Sequence, residues 1–289
     1  MRYFYYVHTG HRTGLDRFHR AAAIVTQLQK EIDITLLCSD FRIASQAREY
    51  GIKRAVGVDV VRNIPQIAHH GDKIVFDSAE FNPTLLKDMI EFFSTFIRVS
   101  DDPEDTKQPN EFLISPYLEG EGIYTGTIVD QRYFEPLAKT IPVAFFYGDD
   151  DYEKDLERYQ QSFAPLKMDL LMGFYHFFGY ENALKGSFGT VHESEEYETV
   201  IRQAKVLVTA SPQAVLQNLA GGGKPVYFQR PDYPRDFISL FKTFNIPVIE
   251  AYDAEKLAAA VNSALSNSYH EIHKSNEKEI DFIRETFNL

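Results

Sequence analysis

Apolar residues along the first part of the chain come in short runs separated by amphipathic stretches, and this alternation sets the expected fold. Residues 2–8 (RYFYYVH) read as a buried strand, followed by a basic loop that turns into a helix reaching to about residue 30. Further strands are expected at 32–38, 54–58, 73–76 and 96–99, with helical periodicity at 43–50, 63–70 and 83–93 between them. The polar stretch 101–111 predicts a loop, and 112–115 the last strand of a first sheet. Residues 120–132 (GEGIYTGTIVDQR) are glycine-rich without amphipathic period, which marks them as an interdomain connection.

The alternation then restarts. Strands are expected at 141–147 and 168–172, helices at 152–163 and 194–204, and beyond residue 228 a helix near 233–244, a strand at 246–249 and a helix at 254–265. The tail 269–287 reads as a charged helix with an apolar stripe of Ile272, Ile280, Ile283 and Phe287. The fold class is therefore α/β, with two Rossmann-like domains built on parallel sheets and facing across a cleft. The expected bounds are 1–121 for the first domain, 122–135 for the linker and 136–268 for the second, with helix 269–289 packing back on the first.

One stretch carries the most local information. Residues 205–231 (KVLVTASPQAVLQNLAGGGKPVYFQRP) read as strand, turn, short helix, glycine break and strand, with Ser211 as N-cap and Pro212 in the first helical turn. The backbone N–H groups of Gln213 and Ala214 are then expected at a helix N-terminus beyond the carboxyl end of a strand, where open α/β sheets bind anions. The alternative is a crossover whose cap serves only the helix.

Charge and composition narrow the class. Thirty Lys and Arg against forty-two Asp and Glu leave a net charge of −12, which argues against a general nucleic-acid binder. The single cysteine, Cys38, excludes a disulfide framework and suits a reducing compartment. Met1 leads straight into a strand-like run, and no apolar stretch approaches the roughly 18 residues a membrane helix needs, so a soluble, cytoplasmic chain with no membrane partner is expected.

Against this acidic background, residues 8–20 concentrate His8, His11, Arg12, Arg17, His19 and Arg20. Arginine pairs bidentately with phosphate oxygens, so such a loop suits a diphosphate or an acidic sugar; a solvated loop paired with nearby carboxylates, or a zinc site from His8, His11 and Asp16, are the other options. Asp149, Asp150 and Asp151 could hold Mg²⁺ with substrate phosphates, or could cap a helix starting near Tyr152. Asp77, Asp101 and Asp102 follow strands and could position a sugar hydroxyl or a water, or serve as turn residues. His69 and His70 end a helix, where a cation is favourable.

Two α/β halves with an anion-ready helix late in the second resemble the GT-B architecture. SPQAVLQNLAGGGKPV (211–226) is similar to the nucleotide-sugar segment of the lipid II N-acetylglucosaminyltransferase, and YTGTIVDQR (124–132) to that family's interdomain Thr-Gly junction. The closer resemblance is to the UDP-sugar hydrolase of pseudaminic acid biosynthesis, through GLDRFHR (14–20), IVFDS (74–78), IRVSDD (97–102) and AFFYGDDD (144–151). This resemblance implies a UDP-sugar in the cleft, hydrolysed at the anomeric carbon for surface-glycan or nonulosonic acid biosynthesis, with no cofactor and no obligatory metal. It places Gly14, Arg20, Asp77, Gly148, Ser211, Gln213 and Asn218 on the substrate and the loop of His11, Arg17 and His19 near the bond that breaks.

Three positions depart from that pattern. Arg17 stands where the hydrolase has its catalytic histidine, and a guanidinium cannot accept a proton near neutral pH, which leaves His8, His11 or His19 to act as base. Asn218 stands where the family has a ribose-binding glutamate, and Gly148-Asp149-Asp150 where it has a Gly-Gly phosphate turn. The alternatives to the hydrolase are thus a catalytically impaired descendant that binds without turnover, or a glycosyltransferase that needs an acceptor.

Overall fold

Among the described residues, thirteen short strands and the helices between them build two all-parallel sheets. The computed structural model describes residues 1–233, 235–272 and 276–289. In the first sheet β1 (Tyr3–Val7), β2 (Ile34–Cys38), β3 (Ala55–Gly57), β4 (Lys73–Asp77), β5 (Thr95–Val99), β6 (Phe112–Ser115) and β7 (Ile123–Thr125) lie in the order β3-β2-β1-β4-β5-β6-β7. The second orders β8 (Ile141–Phe146), β9 (Asp169–Leu171), β10 (Val191–His192), β11 (Ala204–Thr209), β12 (Lys224–Phe228) and β13 (Val248–Ile249) as β10-β9-β8-β11-β12-β13. Each sheet reverses its winding once, between β1 and β4 in one and between β8 and β11 in the other, and loops leaving the carboxyl ends of those strands border the crevice where doubly wound folds bind ligands.

The central strands β1, β4 and β11 are buried on both faces, as parallel strands covered by helices must be, so their sequences read as continuous apolar runs. Helices α1 (Asp16–Leu28), α2 (Phe41–Gln46), α3 (Ile64–Ile67) and α4 (Pro83–Phe92) follow β1 to β4 in turn. Asn82 caps α4 by accepting the Leu85 N–H at 2.9 Å, ahead of a proline in the first turn. In the second half, α5 (Asp155–Tyr159), α6 (Tyr180–Leu184), α7 (Tyr197–Gln203), α8 (Pro212–Ala220), α9 (Ile238–Thr243) and α10 (Ala254–Ser266) alternate with the strands, and α11 (Asn276–Phe287) ends the chain.

The chain divides into two compact units. One holds residues 1–10 and 17–130 with α11; the other holds residues 11–16 and the described part of 131–274. In the first, Phe4, Tyr6, Phe76 and Phe96 pack with Met89 and Phe93 of the α4 region. Ile280, Ile283 and Phe287 of α11 are buried, Phe287 lies 5.5 Å from Tyr3 between ring centres, and its carbonyl accepts from the Lys73 ammonium. In the second unit Phe145, Phe163, Phe188 and Phe228 form the aromatic centre of the core.

Several expectations need correction. Residues 123–125, assigned to a linker, form β7 and pair with β6 in parallel, so 112–115 is not the last strand of its sheet. The helix expected from Tyr152 starts at Asp155, because Lys154 takes a left-handed conformation (φ 58°) that a continuing helix does not allow. The helix expected near 233–244 is confined to α9, and Pro234 lies outside the described residues. The tail helix begins at Asn276 rather than near 269: Tyr269 sits in non-helical chain with its hydroxyl on the Pro225 carbonyl at 3.0 Å, and residues 273–275 lie outside the described set. The short elements α6 and β10 carry too few residues to show a period.

Candidate functional site

In the second unit the loops after β8 and β11 make one polar pocket. It is lined by Thr13, Gly14, Asp16, Gly148, Asp149, Asp150, Ser211 and Tyr233 among others. Gly148 has φ 120°, a conformation that favours glycine, and a Cβ there would lie 2.9 Å from the Asp150 carboxylate. Gly173, after β9, is packed so closely that a Cβ would come within 2.3 Å of the Gly148 carbonyl oxygen. Gly14 is also left-handed (φ 67°), and Asp149 and Asp150 lie at ordinary contact distance from where its Cβ would be.

At the amino end of α8, Ser211 Oγ accepts the Ala214 N–H at 3.0 Å and donates to Asp16 Oδ1 at 2.5 Å. The expectation that the Ala214 N–H points outward is therefore corrected: the cap uses it. Gln213 is buried in the first turn. Asn218 is also corrected as a sugar contact. It is fully buried, and its amide donates to the carbonyls of Ile201 and Ala204 at 2.9 and 3.0 Å, which ties α8 to the chain entering β11.

The three aspartates of the turn have three different fates. Asp150 accepts from Arg230 at 2.6 Å, and Arg230, 5% exposed, also pairs with Asp232 and lies over the Tyr147 ring at 4.5 Å. Asp151 accepts the Asp155 N–H at 2.7 Å and the Tyr180 hydroxyl at 2.6 Å, so only this member of the triplet caps a helix. Asp149 is buried and accepts the Phe174 N–H at 2.8 Å; burial pushes its carboxyl up to about 7, with Asp16 and Asp150 adding to the rise. An arginine thus offsets the charge at one position of the turn, and burial holds another partly protonated near neutral pH. Arg230 was not singled out from sequence; its signal was an arginine two residues beyond the end of β12, in the stretch 205–231.

The first unit gathers charge at the ends of β1, β4 and β5. Arg20 holds both oxygens of Asp77 at 2.6 Å each, and its fork reaches Asp101 at 2.6 and 3.0 Å. Tyr5 donates to Asp77 at 3.1 Å, and Arg17 stands 3.6 Å from it. Asp77 is fully buried by these partners, so its expected place against a sugar hydroxyl is corrected to that of counter-ion for two arginines. Burial and the adjoining carboxylates raise the Tyr5 phenol well above its ordinary value.

The histidines are scattered. His11 is exposed, its ring centre 4.8 Å from that of Tyr152 and tilted by 41°, while His19 is 7% exposed on α1 with its ring near Phe18 and Tyr50. Neither stands with the Arg17 and Arg20 cluster. His8 does: its Nε2 lies 3.4 Å from Glu80, which also accepts the Tyr6 hydroxyl at 3.0 Å. Burial, offset in part by Glu80, lowers the His8 imidazole below its ordinary range and keeps it neutral near pH 7; its Nδ1 has no hydrogen-bond partner among the described residues. No group of acidic, histidine or cysteine side chains among the described residues is placed to hold a metal ion, and no described helix is long and apolar enough to cross a membrane.

No protein-family model and no curated protein matches the sequence. Solved structures do match in fold. A UDP-GlcNAc 2-epimerase from Methanocaldococcus jannaschii, in complex with UDP-GlcNAc and UDP, aligns with a TM-score of 0.66 at 10% identity over 100% of both chains. The UDP-GlcNAc 2-epimerase from Neisseria meningitidis bound to UDP-GlcNAc gives 0.65 at 8% identity, over 99% of this chain and 100% of that one. The spinosyn rhamnosyltransferase SpnG complexed with thymidine diphosphate gives 0.65 at 10%, over 99% and 96%. The chain has the GT-B class of fold, two parallel-sheet α/β domains as in these nucleotide-sugar enzymes.

Proposed function

We propose that the chain binds a nucleotide-activated sugar, foremost a UDP-sugar, with the diphosphate at the Gly148 turn and the amino end of α8. The observation that carries this reading is the carboxylate of Asp16 held 2.5 Å from Ser211 at a helix N-terminus, beside a glycine turn at the point where the sheet reverses its winding. An anion is already accommodated at that helix end. The three fold neighbours, each crystallised with UDP-GlcNAc or a nucleoside diphosphate, lend support. Ser211 and Gln213 belong to this site; Asn218 supports α8 from within.

Arg17 is drawn to Asp77, His19 is packed among aromatic rings and His11 lies against Tyr152, so none is set as a base. Binding with little or no hydrolysis is the reading these placements favour. A UDP-sugar hydrolase of the pseudaminic acid type is the second reading, with His8 as its candidate base: a neutral imidazole beside Glu80 whose Nδ1 is buried, so water has to be admitted to that nitrogen before it can be deprotonated. Transfer to an acceptor in place of water would use the same base. Calorimetry with UDP, UDP-GlcNAc and thymidine diphosphate tests binding, and a coupled assay for released UDP tests turnover. Absence of heat and of thermal stabilisation with all three ligands defeats the binding proposal. Sustained UDP release, lost in His8→Gln, establishes the second reading over the first.

A further inference from the structure

We propose that two copies of this chain pair edge to edge through β3, antiparallel and centred on Val56. Three observations converge there. First, β3 is the terminal strand of its sheet, and its register with β2 fixes which groups face inward: Leu36 N–H donates to the Arg54 carbonyl and Val58 N–H to the Cys38 carbonyl, both at 3.0 Å or less. In a parallel ladder that leaves the N–H and C=O of Ala55 and Gly57 pointing out of the sheet. A two-fold axis at Val56 puts Ala55 of one copy opposite Gly57 of the other, so those outward groups form hydrogen-bonded pairs.

Second, the strand is apolar where it is exposed. Phe41, Val56 and Val60 are 69%, 39% and 48% exposed. Phe41 lies over Gly57, its Cβ 3.3 Å from where a side chain there would begin, and so flanks the ladder on one face. On the other face the axis brings Val56 against Val56, a close non-hydrogen-bonded pair of β-branched residues.

Third, the flanking charges select a second copy as the occupant. Exposed Lys53 precedes the strand and exposed Asp59 follows it, each three residues from Val56. Antiparallel pairing about Val56 therefore sets Lys53 of each copy against Asp59 of the other, twice; a parallel arrangement or a one-residue slip loses this match. Arg54 is neutralised within its own chain by Asp33. Ala55–Gly57 is short, but it carries neither a proline nor an inward charge to block pairing at this edge.

Sedimentation velocity over a concentration series of the full chain tests this, with the far-UV spectrum and melting temperature as controls on folding. Wild type is expected to show a monomer–dimer equilibrium. Ala55→Pro removes an outward donor that the fold does not use and is expected to abolish the dimer. Lys53→Asp and Asp59→Lys are each expected to weaken it about tenfold, and the double exchange to restore it, because the opposite-charge pairs are rebuilt with reversed sign. A wild-type chain monomeric throughout the series overturns the proposal, as does a dimer that survives Ala55→Pro and both single charge reversals. Nucleotide binding is read separately and does not bear on it.

Discussion

Ser211 and Asp16 hold each other at the amino end of α8, the hydroxyl donating to the carboxylate at 2.5 Å while it accepts the Ala214 N–H. An incoming phosphate must compete with that carboxylate. Asp16→Asn removes the charge and keeps the size, so UDP affinity is expected to rise by about threefold at low salt, the scale of a charge at a helix end. Ser211→Ala loses the cap and is expected to lower stability by about 1 kcal/mol and to weaken UDP as well. Calorimetry that finds UDP affinity unmoved in both variants removes this helix end as the phosphate site.

Asp149 makes stability and binding depend on pH. Its carboxyl rises from 3.8 to about 7 on folding, so between those values the folded state binds the extra proton. This contribution is complete below the unfolded value, declines as pH climbs from about 4 to 7, and is gone above. Asp149→Asn keeps the neutral form at every pH. The variant is expected to melt higher than wild type at pH 8, by progressively less as pH falls toward 4, and to lose the weakening of UDP binding expected of wild type across pH 7. Parallel melting curves for the two proteins over that range would count against a buried acid at this position.

Arg230 is the counter-ion of the turn. Arg230→Met leaves Asp150 buried and unpaired, at an expected cost of about 3–5 kcal/mol in urea unfolding. Adding Asp150→Asn to that variant is expected to recover much of the loss, since the stranded charge is then gone. A single-variant loss below about 1 kcal/mol marks the pair as solvated.

Asp77 is expected to behave as an internal anchor. Asp77→Asn withdraws the counter-charge from Arg20 and Arg17 and is expected to cost about 3 kcal/mol or more of stability, while nucleotide affinity of the folded protein stays as in wild type. A variant of normal stability with weakened sugar binding returns Asp77 to the substrate.

The alternation of strands and helices was legible because parallel strands buried on both faces leave unbroken apolar runs such as IVFD and FFY, and the helices between them are amphipathic. β7 was hidden because Ile123–Thr125 is three residues long with glycines on either side, so local composition spoke for a linker while pairing with β6 decided otherwise. At the site, Ser211 could be read directly, since a cap is a local matter of residue type and position. Asn218, Asp77 and Arg230 could not, because their roles depend on partners 14 to 80 residues away in sequence. A row of three aspartates looks uniformly repulsive on paper; burial and one distant guanidinium make its members differ.

The contact between Gly173 and the Gly148 carbonyl has a bearing on how this site can change. With only 2.3 Å available for a Cβ, any side chain at 173 must push the Gly148 peptide, and with it the turn that carries Asp149 and Asp150. A saturation library at 173 selected for nucleotide binding should therefore return glycine almost alone. Once that position is lost, further substitutions at 148 should cost little more, so the two glycines tolerate mutation as one locus although they belong to different loops.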